Sequence, residues 1–134
     1  MRRPDMLPIK TKSFIAEEML EIAKQDGGWF PYYNFRAKPI PHEVIVKDRF
    51  LQWLSARYEF IAGVIKMEPY EQYDWHIDTR RGVSINMLLE HDDSAVLFSD
   101  DPFMLVKKIY PYKYEPDTYY LFNTQVAHCV INYS

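Results

Sequence analysis

His76, Asp78 and His128 are the residues of this chain whose types and spacing can do chemistry. Two imidazoles and one carboxylate are the set that holds a non-haem Fe(II) on one face and leaves the opposite positions open. Imidazole nitrogen suits iron, and the carboxylate offsets part of its charge. His76 and Asp78 are two positions apart, so on an extended segment both side chains point to the same side. His128 comes fifty residues after Asp78, inside Leu121-Phe122-Asn123-Thr124-Gln125-Val126-Ala127-His128-Cys129-Val130-Ile131-Asn132, where strand-like pieces flank a short turn. A lone His-x-Asp arises by chance in many chains. The distal His inside a second strand pattern, after four intervening strand candidates, is what gives it weight. His42 and His91 read as ordinary residues: one begins a helix, and the other lies in the acidic turn Glu90-His91-Asp92-Asp93, which lacks the ligand spacing of a calcium loop.

The elements that must position these groups follow from the hydrophobic pattern. Ser13 can cap a helix whose early turns hold Glu17 and Glu18. Phe14, Ile15, Met19, Leu20, Ile22 and Ala23 give it one apolar face, and Gly27-Gly28 ends it. Trp29 to Pro41 is aromatic and Pro-rich, an ordered loop or a short edge strand. Pro41 opens a second helix running to about Tyr58, with Val44, Phe50, Leu51, Trp53 and Leu54 on its core side. Strands are expected over 59–68, 83–90, 95–98, 103–110, 118–122 and 126–133, with 69–75 a loop that delivers His76. Short strands at such spacing, with turn signals between them, imply a sandwich or barrel. Helices first and strands later imply helices packed outside one β-core. The expectation is one mainly β domain over 1–134, with helical support over 13–58 and a β-core over 59–134.

Composition narrows the function classes. Hydrophobic residues make up 48% and aromatics 16%, with eleven Tyr and eight Phe against four Gly, which supplies a β-rich core and argues against disorder. The net charge is −3 and the basic residues are scattered, so no nucleic-acid partner is expected. One cysteine, Cys129, forms no disulfide framework and fits a reducing, cytoplasmic setting. The start Met1-Arg2-Arg3-Pro4-Asp5 has no apolar stretch after it, as a secretory signal requires. No run approaches the length of a membrane-spanning helix, so no membrane partner is expected either.

A resemblance adds to this. Glu68-Pro69-Tyr70, followed by Trp75-His76-Ile77-Asp78-Thr79-Arg80-Arg81-Gly82-Val83-Ser84-Ile85-Asn86-Met87-Leu88-Leu89, resembles the first metal-binding region of 2-oxoglutarate/Fe(II) dioxygenases. Phe122-Asn123-Thr124 and His128-Cys129-Val130-Ile131-Asn132 look like the second. The spacing Phe-Asn-x-x-x-x-His-x-x-x-Asn is similar to the distal motif of the aspartyl/asparaginyl β-hydroxylase-like branch. The resemblance covers residues 59–134. It implies a double-stranded β-helix, a jelly roll with the ligands in its mouth, which agrees with the strand count. It implies His76, Asp78 and His128 as iron ligands and 2-oxoglutarate as co-substrate. Ser84 and Asn86, on one face of their strand, fall where that branch places an Arg-x-His pair facing 2-oxoglutarate. They can hydrogen-bond a carboxylate but bring no charge. The branch also carries an Arg about ten residues beyond the distal His, bidentate to the far carboxylate. Here Ser134 is six residues beyond His128. The expectation is therefore a C-terminally truncated chain, or another cation in that role, with Arg80 and Arg81 the candidates by proximity. The expected activity is hydroxylation of an unactivated C–H of an amino acid, peptide or other small substrate. The alternatives are a cupin-like metal enzyme that does not use 2-oxoglutarate and a non-catalytic metal-binding β-barrel.

Overall fold

The computed structural model describes residues 6–33, 35–78, 82–90, 94–99 and 109–132. In chain order these form β1 (Met6–Lys12), α1 (Ala16–Lys24), β2 (Phe30–Tyr32), β3 (Phe35–Pro39), α2 (His42–Ile45), α3 (Arg49–Ser55), β4 (Gly63–Lys66), β5 (Gln72–His76), β6 (Val83–Asn86), β7 (Ala95–Ser99), β8 (Ile109–Tyr112), β9 (Thr118–Asn123) and β10 (Ala127–Ile131). The protein is mainly β, with three antiparallel sheets among the described residues. The chain divides into two compact units, residues 1–10 with 69–134 and residues 11–68.

The first unit holds the triad. Its sheets have the orders β1-β9-β6 and β5-β10-β7-β8. The pairings β5–β10, β6–β9 and β7–β8 are nested, each inner pair lying between the partners of the pair outside it. β5–β10 and β7–β8 belong to one sheet and β6–β9 to the other. β10 is interior to its sheet and reads Ala-His-Cys-Val-Ile, apolar on both sides of His128, as a strand paired at both edges should be. β9 alternates instead: Tyr120 and Phe122 are buried while Leu121 and Asn123 are exposed. Met6, Val96, Phe98, Tyr120 and Phe122 form the buried core. The Phe98 ring meets Phe122 at 5.1 Å and Tyr112 at 5.4 Å. Aromatic pairs of this kind contribute about 0.5–1.5 kcal/mol each beyond the area they bury.

The second unit carries the three helices and the sheet β2-β3-β4. Asp48 is fully buried and caps α3, accepting from the N–H groups of Phe50 and Leu51 at 2.9 and 3.1 Å. Its other oxygen takes the Phe14 N–H at 3.1 Å and the Ser13 hydroxyl at 3.4 Å. Buried Lys38 donates to the carbonyls of Ile22 and Gln25, both at 2.8 Å, where α1 ends, and lies 4.9 Å over the Trp29 ring. A cavity of about 310 Å³ is lined by Trp29, Phe30, Pro31, Phe35 and Arg36. Among the described residues no helix is long and apolar enough to cross a membrane.

Several expectations change. Ser13 is not the cap of α1: its hydroxyl accepts from Ile15 N–H at 3.2 Å, and the helix begins only at Ala16. Of the two readings of the aromatic segment after Gly28, the short edge strand is found: β2 lies at the edge of its sheet and pairs with β3 in a hairpin. The single helix expected after Pro41 is two, because Asp48 stops one and starts the next. The strand expected over 59–68 is only Gly63–Lys66, and it pairs with β3 in the helical unit. The loop expected before His76 is strand β5, and β1 appears where no strand was expected. The strand expected over 83–90 ends at Asn86. Of the strand expected over 103–110, only its last two residues lie among the described ones, in β8.

Candidate metal centre

His76 ends β5 and His128 lies on β10 directly opposite it in the register. One cross-strand rung therefore brings both imidazoles together, with ring centroids 4.2 Å apart. The pairing shifts here. Between the rungs His128–His76 and Val130–Tyr73, the single residue Cys129 faces two, Asp74 and Trp75. A bulge of this kind re-aims the side chains around it. Tyr73 and His76 are three apart and would sit on opposite faces of a regular strand. With the bulge between them, their rings stack at 3.7 Å.

Asp78 lies two residues past His76, beyond the end of β5. Its position is set by main-chain bonds to the turn between β9 and β10. Its N–H donates to the Thr124 carbonyl at 3.1 Å, and its own carbonyl accepts from Gln125 Nε2 at 2.9 Å. The carboxylate then reaches both imidazoles: Oδ1 is 3.6 Å from His76 Nε2, and Oδ2 is 3.8 Å from His128 Nε2. One ligand atom from each of the three residues falls within 4.8 Å of the others.

The two imidazoles are prepared alike. His76 Nδ1 lies 2.6 Å from the Asp74 carbonyl, and His128 Nδ1 lies 2.7 Å from the Val126 carbonyl. A carbonyl oxygen only accepts, so each Nδ1 carries the proton and donates. Each Nε2 of a neutral ring is left with its lone pair aimed at Asp78, the orientation metal-binding histidines adopt. His128 is buried, walled by Phe122 at 5.0 Å and Phe98 at 6.0 Å between ring centroids. His76 and Asp78 keep partial exposure, at 19% and 15% of their side chains, so the site has a dry wall and an open side.

Comparison with family models, curated proteins and solved structures finds no match to this chain.

The other residues singled out in the sequence distribute as follows. Ser84 and Asn86 lie on one face of β6, opposite Phe122 and Tyr120 of β9. Cross-strand partners share a face, so both point to the side on which Phe122 packs against His128. Asn86 is engaged there: its Nδ2 donates to the Tyr114 hydroxyl at 3.3 Å. Arg80 and Arg81, like His91, lie outside the described residues. Cys129 is buried, and burial first, then the Asp74 charge, pushes its thiol up to about 11, so it stays protonated.

Sequence reasoning missed four contributors to the site. The carbonyls of Asp74 and Val126 have no residue signature, since every residue carries one. Gln125 sits within the distal motif, but at a position where any residue type is read as filler. Tyr114 sits among Tyr110 and Tyr112, where tyrosine by itself signals no more than a strand. Its engagement with Asn86, twenty-eight positions away, is a product of the fold.

Proposed function

We propose that this chain is a non-haem Fe(II) and 2-oxoglutarate-dependent dioxygenase that hydroxylates an unactivated C–H of an amino acid, peptide or other small molecule. The observation that carries the reading is the convergence of His76, Asp78 and His128, with both Nε2 atoms pre-set as ligands. The donor set fits a divalent ion. Ligands at about 2.1 Å from a metal sit about 3.0–3.4 Å from one another in octahedral or tetrahedral order. The present separations of 3.6 and 3.8 Å need only small side-chain rotations to close. The nested strand pairs, with His76 and His128 on the outermost pair, favour the double-stranded β-helix within the mainly β architecture.

When bound, iron activates O₂ for insertion into a C–H bond. The chain's own residues do the rest. His76, Asp78 and His128 hold the ion on one face. Phe98 and Phe122 close the buried side against water, and Tyr73 stacks on His76 and limits its rotation. Ser84 and Asn86 offer hydrogen bonds to a carboxylate on the same side as the ligands. One observation favours a second reading, a cupin-like metal enzyme without 2-oxoglutarate: these two residues carry no charge, and the amide of Asn86 already donates to Tyr114. Incubation with Fe(II), ascorbate and 2-oxoglutarate separates the two. Succinate formation supports the dioxygenase. Metal binding without succinate supports the second reading, and metal binding unchanged by His76→Ala overturns both.

A further inference from the structure

We infer that the cavity on the β2–β3 hairpin binds a small aromatic carboxylate, with Arg36 on the carboxylate and the ring held among Trp29, Phe30, Pro31 and Phe35. The site belongs to the second unit, shares no residue with the triad and does not depend on the function proposed above. Its walls are set by the chain. Gly27 and Gly28 take positive φ, 83° and 77°, a turn that other residues resist. Trp29 follows and lies over the ammonium of buried Lys38, 4.9 Å from the ring centroid. That ammonium is pinned by two carbonyls at the end of α1. A Cβ on Gly28 would come 3.3 Å from Lys38 Cε, so the glycine leaves the room this packing needs. Register fixes the hairpin itself, with Pro31 opposite Arg36 and Tyr32 opposite Phe35.

The lining selects the ligand. Three aromatic rings and a proline ring make a surface for a flat apolar body. A volume of about 310 Å³ is at the small end for ligand pockets, room for a single ring system. Arg36 is the charged residue in the lining. It is exposed, and among the described residues its guanidinium has no ion pair or hydrogen bond. The Trp29 indole N–H has no described partner either. Lys38, two residues along β3, and Lys66, opposite Arg36 on β4, share the sheet face of Arg36. Strands β2, β3 and β4 carry no acid, and Glu68 beyond β4 is taken by Lys66 at 3.3 Å. The local field therefore favours an anion, although the whole chain is negative. A planar carboxylate matches the fork of a guanidinium. The same group ends a peptide whose last residue is Phe, so both sources enter the test.

The test is a titration of the metal-free protein, with chelator present, followed by the N–H signals of its three Trp indoles in nitrogen-15 NMR. Chelator keeps the acid from binding at an ion in the triad, so failure here leaves the dioxygenase reading untouched. Phenylacetate should shift one indole signal saturably, the one that Trp29→Phe removes, and leave those of Trp53 and Trp75 in place. Phenylacetamide has the same shape without the charge and should bind at least about tenfold more weakly. Arg36→Gln should weaken phenylacetate about tenfold and leave phenylacetamide unchanged, with the urea midpoint unaltered because the side chain is exposed. Tighter binding of Gly-Gly-Phe than of phenylacetate supports the site with a peptide terminus as its source, and the reverse order supports it with a free acid. If neither acid shifts the Trp29 signal saturably, or if Arg36→Gln binds phenylacetate as well as wild type does, the assignment falls.

Discussion

Asp78→Asn separates the metal site from the fold, because the residue is positioned by its main chain. Its N–H bond to Thr124 and the Gln125 bond to its carbonyl survive the substitution. Its side chain is partly exposed, so the apo protein should keep its stability to within about 1 kcal/mol. What disappears is the charge lying 3.6 and 3.8 Å from the two Nε2 atoms. An ion at one hundred times its Kd stabilises the native state by about 2.7 kcal/mol. For a domain of this length that is a rise of about 8–12 °C in Tm. If losing the charged ligand weakens binding a hundredfold, the same metal concentration contributes only about 0.4 kcal/mol, a rise of one or two degrees. The assay is thermal unfolding under anaerobic conditions with Fe(II), Mn(II), Co(II) or chelator, on wild type and variant. A wild type that none of these ions stabilises, or a variant stabilised as much as wild type, refutes the assignment of the three residues as a metal centre.

Four further outcomes are expected. Gln125→Ala releases the Asp78 carbonyl and should lower Mn(II) affinity about tenfold in a calorimetric titration, with the apo urea midpoint little changed. Asp48→Ala strips a buried acceptor from three backbone N–H groups and should cost about 3–5 kcal/mol in urea unfolding. Lys38→Met keeps most of the packing but leaves the carbonyls at the end of α1 without their donor, a loss of about 2 kcal/mol in the same experiment. Tyr114 gives a pH dependence: its hydroxyl ionises near 10 when unfolded and near 12 when folded, so the native state holds the proton more tightly. Its contribution is intact below pH 10 and is lost as the pH rises from 10 to 12. The total is about 2 kcal/mol, and urea melts across that range should flatten in Tyr114→Phe.

The convergence of His76, Asp78 and His128 was legible because a two-residue spacing survives translation into an extended segment, and because the apolar flanks of His128 announce a central strand. The bulge at Asp74 and Trp75 was not, since it exists only where β5 meets β10. Gln72 to Asp74 looked like a loop because Gln and Asp are poor strand formers. They are tolerated because β5 lies at the edge of its sheet among the described residues. Pro8 hid β1 and Pro111 blurred β8, whereas the segment holding Pro31 still read as a possible short edge strand; all three lie at sheet edges, where proline fits. Asp48 sits in the charged run Lys47-Asp48-Arg49, and such a run within one long amphipathic pattern reads from sequence as the solvated side of a single helix rather than as a cap. The face shared by Ser84 and Asn86 was readable from their spacing, whereas Tyr114 beside Asn86 required the fold to close.

The nested pairing gives the order in which the first unit can assemble. β7 and β8 stand nine residues apart in the chain, whereas β5 and β10 enclose everything between them. The entropy of loop closure favours the shorter closure, so the pairs inside form ahead of β5–β10. The two imidazoles belong to the outermost pair, on its inner rung, with Tyr73–Val130 and Gln72–Ile131 outside them. An unfinished fold would bring them together last, and an ion held there would act as a clasp on the pair that closes last.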